Sequence, residues 1–167
     1  SGKSTIARTM AHEIGAFPGA VIVRSDVERK RLFGVDLHAT LPQSAYTQDV
    51  SELVYALCRK RARFALEGGR SVIVDAVHAT AAEREAIAAL TGECGVPFKG
   101  LWLDLPADLL TARVANRVGD VSDATPSVVR EQLSYDLGSM DFERIDTSGP
   151  VLDVARCCLE RIHDSCP

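Results

Sequence analysis

The chain has 167 residues, of which 46% are hydrophobic and 25% charged, and its formal net charge is −4 at pH 7. This length and composition fit one soluble globular domain, and no apolar run approaches the length of a transmembrane helix. The acidic balance gives no general argument for a nucleic-acid or membrane partner. The five cysteines form no C-x-x-C pair, which predicts reduced thiols in a cytoplasmic protein rather than a disulfide framework or a zinc site.

The first half of the chain alternates helical patterns with a short apolar run. Apolar residues between positions 3 and 14 recur at helical spacing, and Gly15 follows as a stop signal. Residues 20–23 form a run rich in β-branched side chains, which predicts a strand covered on both faces. Two more helices are predicted, over residues 26–33 and 44–66.

The second half repeats this alternation. In chain order, the sequence predicts a strand at 71–75, a helix at 81–90, a strand at 98–105, a helix at 106–118, a polar stretch at 119–125, a helix from Pro126, a strand at 144–147 and a helix at 151–162. Strands separated by helices indicate parallel βαβ units. We therefore predict an α/β fold with a doubly wound parallel sheet of about five strands and helices on both faces.

The chain opens on Ser1-Gly2-Lys3-Ser4-Thr5, which matches the last three fixed positions of the phosphate-binding loop G-x-x-x-x-G-K-[ST]. Such a loop cradles phosphates with backbone N–H groups, here beginning at Ser1 and Gly2, and with the end of the following helix. Lys3 would reach the β- and γ-phosphates of ATP, Ser4 would ligate Mg²⁺, and Thr5 would add a phosphate contact. By chance this triplet arises in about one chain in ten of this length, so the surrounding elements decide its meaning. We expect the natural chain to include a strand and the first glycine before residue 1.

Asp26 follows the first predicted strand, at the edge where open α/β sheets bind ligands. A carboxylate there can take the proton of an attacking substrate hydroxyl, and Arg29, one helical turn further, is placed to hold the substrate or the transferring phosphate. The alternative is a helix-capping aspartate followed by solvated charges. Position alone does not separate these two interpretations.

Asp75 ends the second strand after three β-branched residues, a pattern typical of the strand whose terminal acid supports Mg²⁺ in nucleotide-binding sites. We predict that Asp75 holds the metal together with Ser4 and borders the substrate. The alternative is an aspartate that caps the following turn. For the neighbouring His78 we expect an exposed loop position rather than a role on the substrate side.

Two arginines mark a predicted lid over residues 113–126. Arg113 and Arg117 are four residues apart, so they share one helix face, and a polar turn and a second predicted helix follow. A helix–turn–helix segment of this kind can close over a nucleotide, and its arginines would neutralise charge on the moving phosphoryl group. Asp123 is placed to pair with one of them. The alternative is a solvated charged face.

Together these residues resemble the P-loop small-molecule kinases grouped with the AAA-family ATPases. The segments that carry the resemblance are SGKST, VIVRSDVERKRLFG, SVIVDA, FKGLWLDLP and RVANRVGDVSDAT, and they extend over nearly the whole chain. The D-x-x-R of Asp26 and Arg29 is also similar to the hydroxyl-activating motif of polynucleotide kinases, zeta toxins and chloramphenicol phosphotransferases. The resemblance implies Asp26 as base, Arg113 or Arg117 as lid arginines, and in some members a fused aminoglycoside-phosphotransferase-like domain.

We therefore expect residues 1–167 to form one P-loop kinase domain that uses ATP and Mg²⁺. The expected reaction is transfer of the γ-phosphoryl group to a hydroxyl of a small molecule, and neither a membrane nor a nucleic acid is expected as partner. Two alternatives stay open at this stage. One is a kinase for the 5′-hydroxyl of a nucleotide or polynucleotide, and the other is a non-catalytic ATP-binding module that regulates a fused domain.

Overall fold

The structure is a computed structural model, which describes residues 2–107, 109–110, 135 and 137–164. The described ranges contain the α-helices α1 Lys3–Met10, α2 Ser25–Leu32, α3 Gln48–Glu67, α4 Ala81–Glu93 and α5 Val151–His163. The same ranges hold four strands: β1 Val21–Arg24, β2 Val72–Asp75, β3 Leu101–Asp104 and β4 Glu143–Asp146. Helices and strands alternate along the chain, as the predicted α/β class requires.

The four strands form two parallel pairs. In one pair β1 and β2 run in register, with Val21 opposite Val72 and Arg24 opposite Asp75. In the other pair Leu101 of β3 lies opposite Glu143 of β4. Parallel strands need a crossover connection, and α2 and α3 supply it between β1 and β2. Because paired strands run the same way, the carboxyl ends of β1 and β2 meet at one edge, where ligands bind in open α/β sheets.

Alternate residues of β2 belong to different cores. Ile73 packs against the cluster that joins α1 to α5, in which Ile6 and Met10 meet α5 and β4. Val72 and Val74 pack on the opposite side, against α3 and α4. Side chains alternate between the faces of a strand, so the continuous apolar run of β2 reflects helices on both faces.

The sequence-based elements match the structure within a few residues, with one clear difference. The single helix predicted over residues 44–66 is a short 3-10 helix, Gln43–Tyr46, followed by α3. Thr47 separates the two because its backbone is extended, at φ −63° and ψ 160°. Hydrophobic spacing alone does not report such a break. Residues 111–118 of the helix predicted from Pro106, the predicted polar stretch at 119–125 and the first residues of the helix predicted from Pro126 lie outside the described residues.

The cysteines of the described residues are free thiols. Cys58 lies in the core between α3 and the β1–β2 pair, and Cys158 lies in the core that α5 forms with α1. Burial raises the pKa of the Cys58 thiol to about 12 and that of Cys158 to about 11. Both therefore serve as small apolar core residues. In the described part of the chain, no helix has the length and apolarity that a membrane crossing requires.

Candidate active site

The N-terminus of α1 stands at the edge where β1 and β2 end. Gly2 precedes the helix with φ 107° and ψ −2°, and its carbonyl accepts hydrogen bonds from the backbone N–H groups of Thr5 and Ile6 at 3.0 Å. A Cβ at Gly2 would meet no atom within 4 Å, so the positive φ rather than crowding favours glycine. Lys3 and Ser4 form the first turn of the helix. Ser1 lies outside the described residues.

Ser4, Asp75 and Arg24 form one hydrogen-bonded cluster at this edge. The Ser4 hydroxyl donates to Asp75 Oδ2 at 2.5 Å. Arg24 donates from Nε to the same Oδ2 at 3.2 Å and from Nη2 to Ser4 Oγ at 2.9 Å. The side chains of Arg24 and Asp75 are only 12% and 6% exposed. Residues that are 71 positions apart in sequence thus meet, as predicted for Ser4 and Asp75.

The chemistry of this cluster fits Mg²⁺. The ion prefers oxygen ligands and usually takes only one or two from the protein, with water and phosphate oxygens completing the shell. The Ser4 hydroxyl and the Asp75 carboxylate are such oxygens, and they lie side by side. The described residues contain no group of three or more His, Cys, Asp and Glu side chains that would indicate another kind of metal site.

Asp26 lies in the first turn of α2, two residues after Arg24, and is partly buried. The chain therefore places it just beyond the carboxyl end of β1. Arg29, also predicted at the site, is only 7% exposed. It donates to the carbonyl of Ala45 at 2.6 Å and to Ser51 Oγ at 3.3 Å, and its guanidinium lies 4.8 Å from the centre of the Tyr46 ring. In this structure Arg29 holds the segment before α3 against α2.

A buried carboxylate also fixes α2 against α3. Glu28 is 2% exposed and accepts hydrogen bonds from Arg31 and from Arg61 of α3, each at 2.5 Å. Charge-assisted hydrogen bonds of this kind are stronger than neutral ones, and an unpaired buried carboxylate would be costly. The helix that carries Asp26 is therefore attached to α3 through charged contacts.

His78 is buried, so the expectation of an exposed loop histidine is wrong. It is 7% exposed, with a left-handed backbone at φ 47°, and its N–H donates to the hydroxyl of Tyr55 at 3.1 Å. Burial, chiefly, and the nearby Arg84 guanidinium lower the pKa of His78 from 6.5 to about 4, and burial also raises the pKa of Tyr55. The neutral histidine is thus a buried member of the loop that follows Asp75.

Arg84 of α4 joins that loop to a distant segment. It is 3% exposed and donates to the carbonyls of His78 at 2.8 Å and Ala79 at 2.9 Å. Its other nitrogen donates to the carbonyls of Leu137 and, at 2.7 Å, of Ser139. The residues before this segment include the predicted lid, and Arg113, Arg117 and Asp123 lie outside the described residues.

Sequence reasoning assigned no role to Arg24 or Arg84. Arg24 ends an apolar strand immediately before a charged helix, where an arginine is usually solvated, and its partner Asp75 is known only from strand register. For Arg84 a local signal existed. Thr80 and Glu83 form a capping box that starts α4, and this spacing fixes where the helix begins and which turn Arg84 occupies.

Comparisons with known proteins show the family and the relatives of this chain. The sequence model of the AAA domain family matches residues 1–136. The uncharacterized protein Rv2004c of Mycobacterium tuberculosis is 31% identical over 157 residues, which cover 90% of this chain and 30% of that protein. An uncharacterized protein of Mycobacterium bovis matches equally well. The chain thus spans about 30% of the length of the curated relatives it matches.

Solved structures share the fold. A sugar kinase from Janibacter sp. superposes with a TM-score of 0.68 and 21% identity, over 99% of this chain and 90% of the other. A gluconokinase from Sinorhizobium meliloti gives 0.65 and 19%, over 98% and 87%. The Mycobacterium tuberculosis APS kinase CysC, in complex with AMPPNP and APS, gives 0.62 and 14%, over 97% and 91%. The likeness is one of fold, and it extends over almost the whole chain.

Proposed function

Because this chain belongs to the AAA domain family, we propose that it is a kinase that transfers the γ-phosphoryl group of ATP to a hydroxyl of a small molecule. One observation carries the proposal. The Ser4 hydroxyl and the Asp75 carboxylate are 2.5 Å apart at the N-terminus of α1, on the edge where β1 and β2 end. A glycine-lysine-serine turn, a helix N-terminus and a strand-end acid at one edge suit a nucleotide with its metal.

Ser4 and Asp75 are the residues that would hold Mg²⁺ in this proposal. When bound with nucleotide, the ion would neutralise negative charge on the phosphate oxygens. Gly2 and the first N–H groups of α1 would face the phosphates, and Thr5 would add a contact. Lys3, at the first position of the helix, would place its ammonium group against the β- and γ-phosphates.

Asp26 is the proposed general base. A carboxylate just past the end of β1 can accept the proton of the acceptor hydroxyl while the oxygen attacks phosphorus. Arg29 has five N–H donors, and its contacts to Ala45 and Ser51 engage two of its nitrogens. It can therefore contact the acceptor molecule while it holds the segment before α3 against α2. Arg113 and Arg117 are proposed to stabilise the charge of the transferring group. The fold likeness to sugar and gluconate kinases favours a hydroxyl acceptor over other classes.

The test is an Asp26→Asn substitution in an assay with γ-labelled ATP and a panel of sugars, alcohols, antibiotics, nucleosides and oligonucleotides. Loss of the base should lower turnover about 100- to 10,000-fold. Affinity for a non-hydrolysable ATP analogue should stay within about twofold, because Asp26 makes no proposed phosphate contact. Asp153→Asn is the matched control, since Asp153 also lies in the first turn of a helix, α5, and pairs with exposed Arg156.

The outcomes separate the alternatives. Unchanged turnover in the Asp26 variant contradicts the base assignment. Labelling of oligonucleotides alone favours the polynucleotide acceptor. ATP binding without labelling of any acceptor favours a regulatory ATP-binding module of a longer protein.

A further inference from the structure

Arg24 donates hydrogen bonds to the two oxygens that would hold the metal, Ser4 Oγ and Asp75 Oδ2. It lies at the last position of β1, in register with Asp75, and its Nε and Nη2 donate to the carboxylate and to the Ser4 hydroxyl, respectively. All three side chains converge where β1, β2 and α1 meet. The contact is therefore built by strand register and by the position of α1, and not by a flexible surface side chain.

The charge of Arg24 compensates the buried Asp75 carboxylate when no metal is bound. The Asp75 carboxylate is 6% exposed, and a buried carboxylate needs a cation or several hydrogen bonds to offset the loss of its hydration. Ser4 supplies one hydrogen bond to Oδ2, and Arg24 supplies a second hydrogen bond and a full positive charge. A bound divalent cation would answer the same requirement.

A metal on these oxygens would be repelled by the guanidinium in the observed geometry. A serine hydroxyl has one proton and two lone pairs. Here the proton of Ser4 points to Asp75 and Arg24 Nη2 donates into a lone pair of Oγ. The second lone pair of Oγ is left for a metal, which would then lie close to a guanidinium of like charge. Arginine does not lose its proton in proteins, so the conflict persists at any working pH.

We propose that Arg24 is a positioning residue that aligns Ser4 and Asp75 while the metal is absent and withdraws from the Ser4 hydroxyl when Mg²⁺ and nucleotide bind. Its displacement opposes metal binding and so sets the Mg²⁺ concentration at which the site fills. The inference rests on the proposed function, because it takes Ser4 and Asp75 as the metal-binding residues. It adds that a cation of the chain itself competes with the metal for Ser4 and Asp75.

The experiment measures binding rather than turnover. Mg²⁺ is titrated into the protein in the presence of a non-hydrolysable ATP analogue. The Mg²⁺ concentration at which the site is half filled, the midpoint, is recorded for the wild type, R24Q, R24K and R144Q. Removal of the competing charge should lower the midpoint of R24Q by about fivefold or more. R24K keeps the charge but cannot donate to both partners as the guanidinium does, so its midpoint should fall between the two. R144Q removes an exposed arginine from β4, in the other strand pair, and should stay within about twofold of the wild type.

Each outcome decides the question. A midpoint for R24Q that equals or exceeds that of the wild type overturns the inference alone. If R24Q does not fold, R24K serves in its place, and a midpoint at or above that of the wild type overturns the inference. Absence of Mg²⁺-dependent nucleotide binding by the wild type overturns the proposed function and this inference with it. A purely structural arginine would lower the melting temperature of the variants without moving the midpoint.

Discussion

The two strand pairs have the same local plan and different chemistry at their ends. Each pair consists of four-residue parallel strands in register, and each has an aspartate at the carboxyl end, Asp75 in one and Asp104 and Asp146 in the other. Each also has an arginine that contacts a strand-end aspartate, Arg24 in the first pair and Arg144 in the second. In sequence each pair therefore offers a strand-end aspartate as a candidate metal-binding acid.

They differ in what surrounds the carboxylates. Asp75 and Arg24 are 6% and 12% exposed, whereas Asp104 and Arg144 are 50% and 54% exposed. Asp104 accepts the N–H of the next residue, Leu105, as an ordinary strand-end turn does. Hydrogen bonds from the N–H and hydroxyl of Ser148 lower the pKa of Asp146. Asp146 is thus satisfied within its own turn, and Asp104 by the next residue and by the exposed Arg144.

The difference shows that an apolar run followed by aspartate does not by itself identify a metal-binding acid. What distinguishes Asp75 is α1, which brings the Ser4 hydroxyl to it. The β3–β4 pair shows the alternative that was considered for Asp75, an aspartate that belongs to its own turn.

The largest expected contrast is between Asp75→Asn and Asp104→Asn. If Asp75 supports the metal, its amide variant should lose about 1,000-fold in kcat/KM, since the metal-bound phosphates lose a charged ligand. Asp104→Asn should change kcat/KM by less than about twofold, because among the described residues the exposed pair makes no hydrogen bond or ion pair with Ser4, Asp26 or Asp75. Steady-state kinetics on both variants is the measurement, and similar losses in the two would contradict the distinction.

The next contrast concerns the loop after β2, where His78 is buried. Its pKa is about 4 in the folded chain against an ordinary 6.5, so between these values the unfolded chain binds a proton that the folded chain does not. The contribution of His78 to stability is therefore present above pH 6.5 and falls as pH drops through this window, by about 3 kcal/mol at most.

Denaturant unfolding at pH 7 and pH 4.5 measures this effect. His78→Asn is the suitable variant, because asparagine accepts the left-handed backbone at this position. It should lose much of the stability difference between the two pH values that the wild type shows. An unchanged difference would place the acid sensitivity of the fold elsewhere.

The smallest effect is expected for the exposed pair of Arg144 and Asp104. A double-mutant cycle with alanine at both positions should give a coupling of less than about 0.5 kcal/mol, and added salt should reduce it further. The same cycle on Arg24 and Asp75 should give a clearly larger value that salt changes little, since both groups are nearly buried. Equal couplings would mean that burial does not separate the two strand ends.

Much of the fold was predictable because hydrophobic period and glycine stops are local signals. The helices α2, α4 and α5 and the strands β1 and β2 lie within a few residues of their predicted bounds. The meeting of Ser4 with Asp75 also followed, since parallel strands and the next helix share an edge. The role of Arg24 depends on strand register, and the burial of His78 depends on Tyr55 and Phe142, which stand 23 and 64 residues away. Neither signal is local.

The alternation of β2 side chains between two cores restricts the motion of Asp75. Ile73 is packed by α1 and α5 on one face of the strand, and Val72 and Val74 are packed by α3 and α4 on the other. A strand packed from both faces has little amplitude of motion across the sheet, because a dense interior resists displacement in either direction. The entropy of placing the carboxylate is thus lost once, when the chain folds, and not again at each turnover.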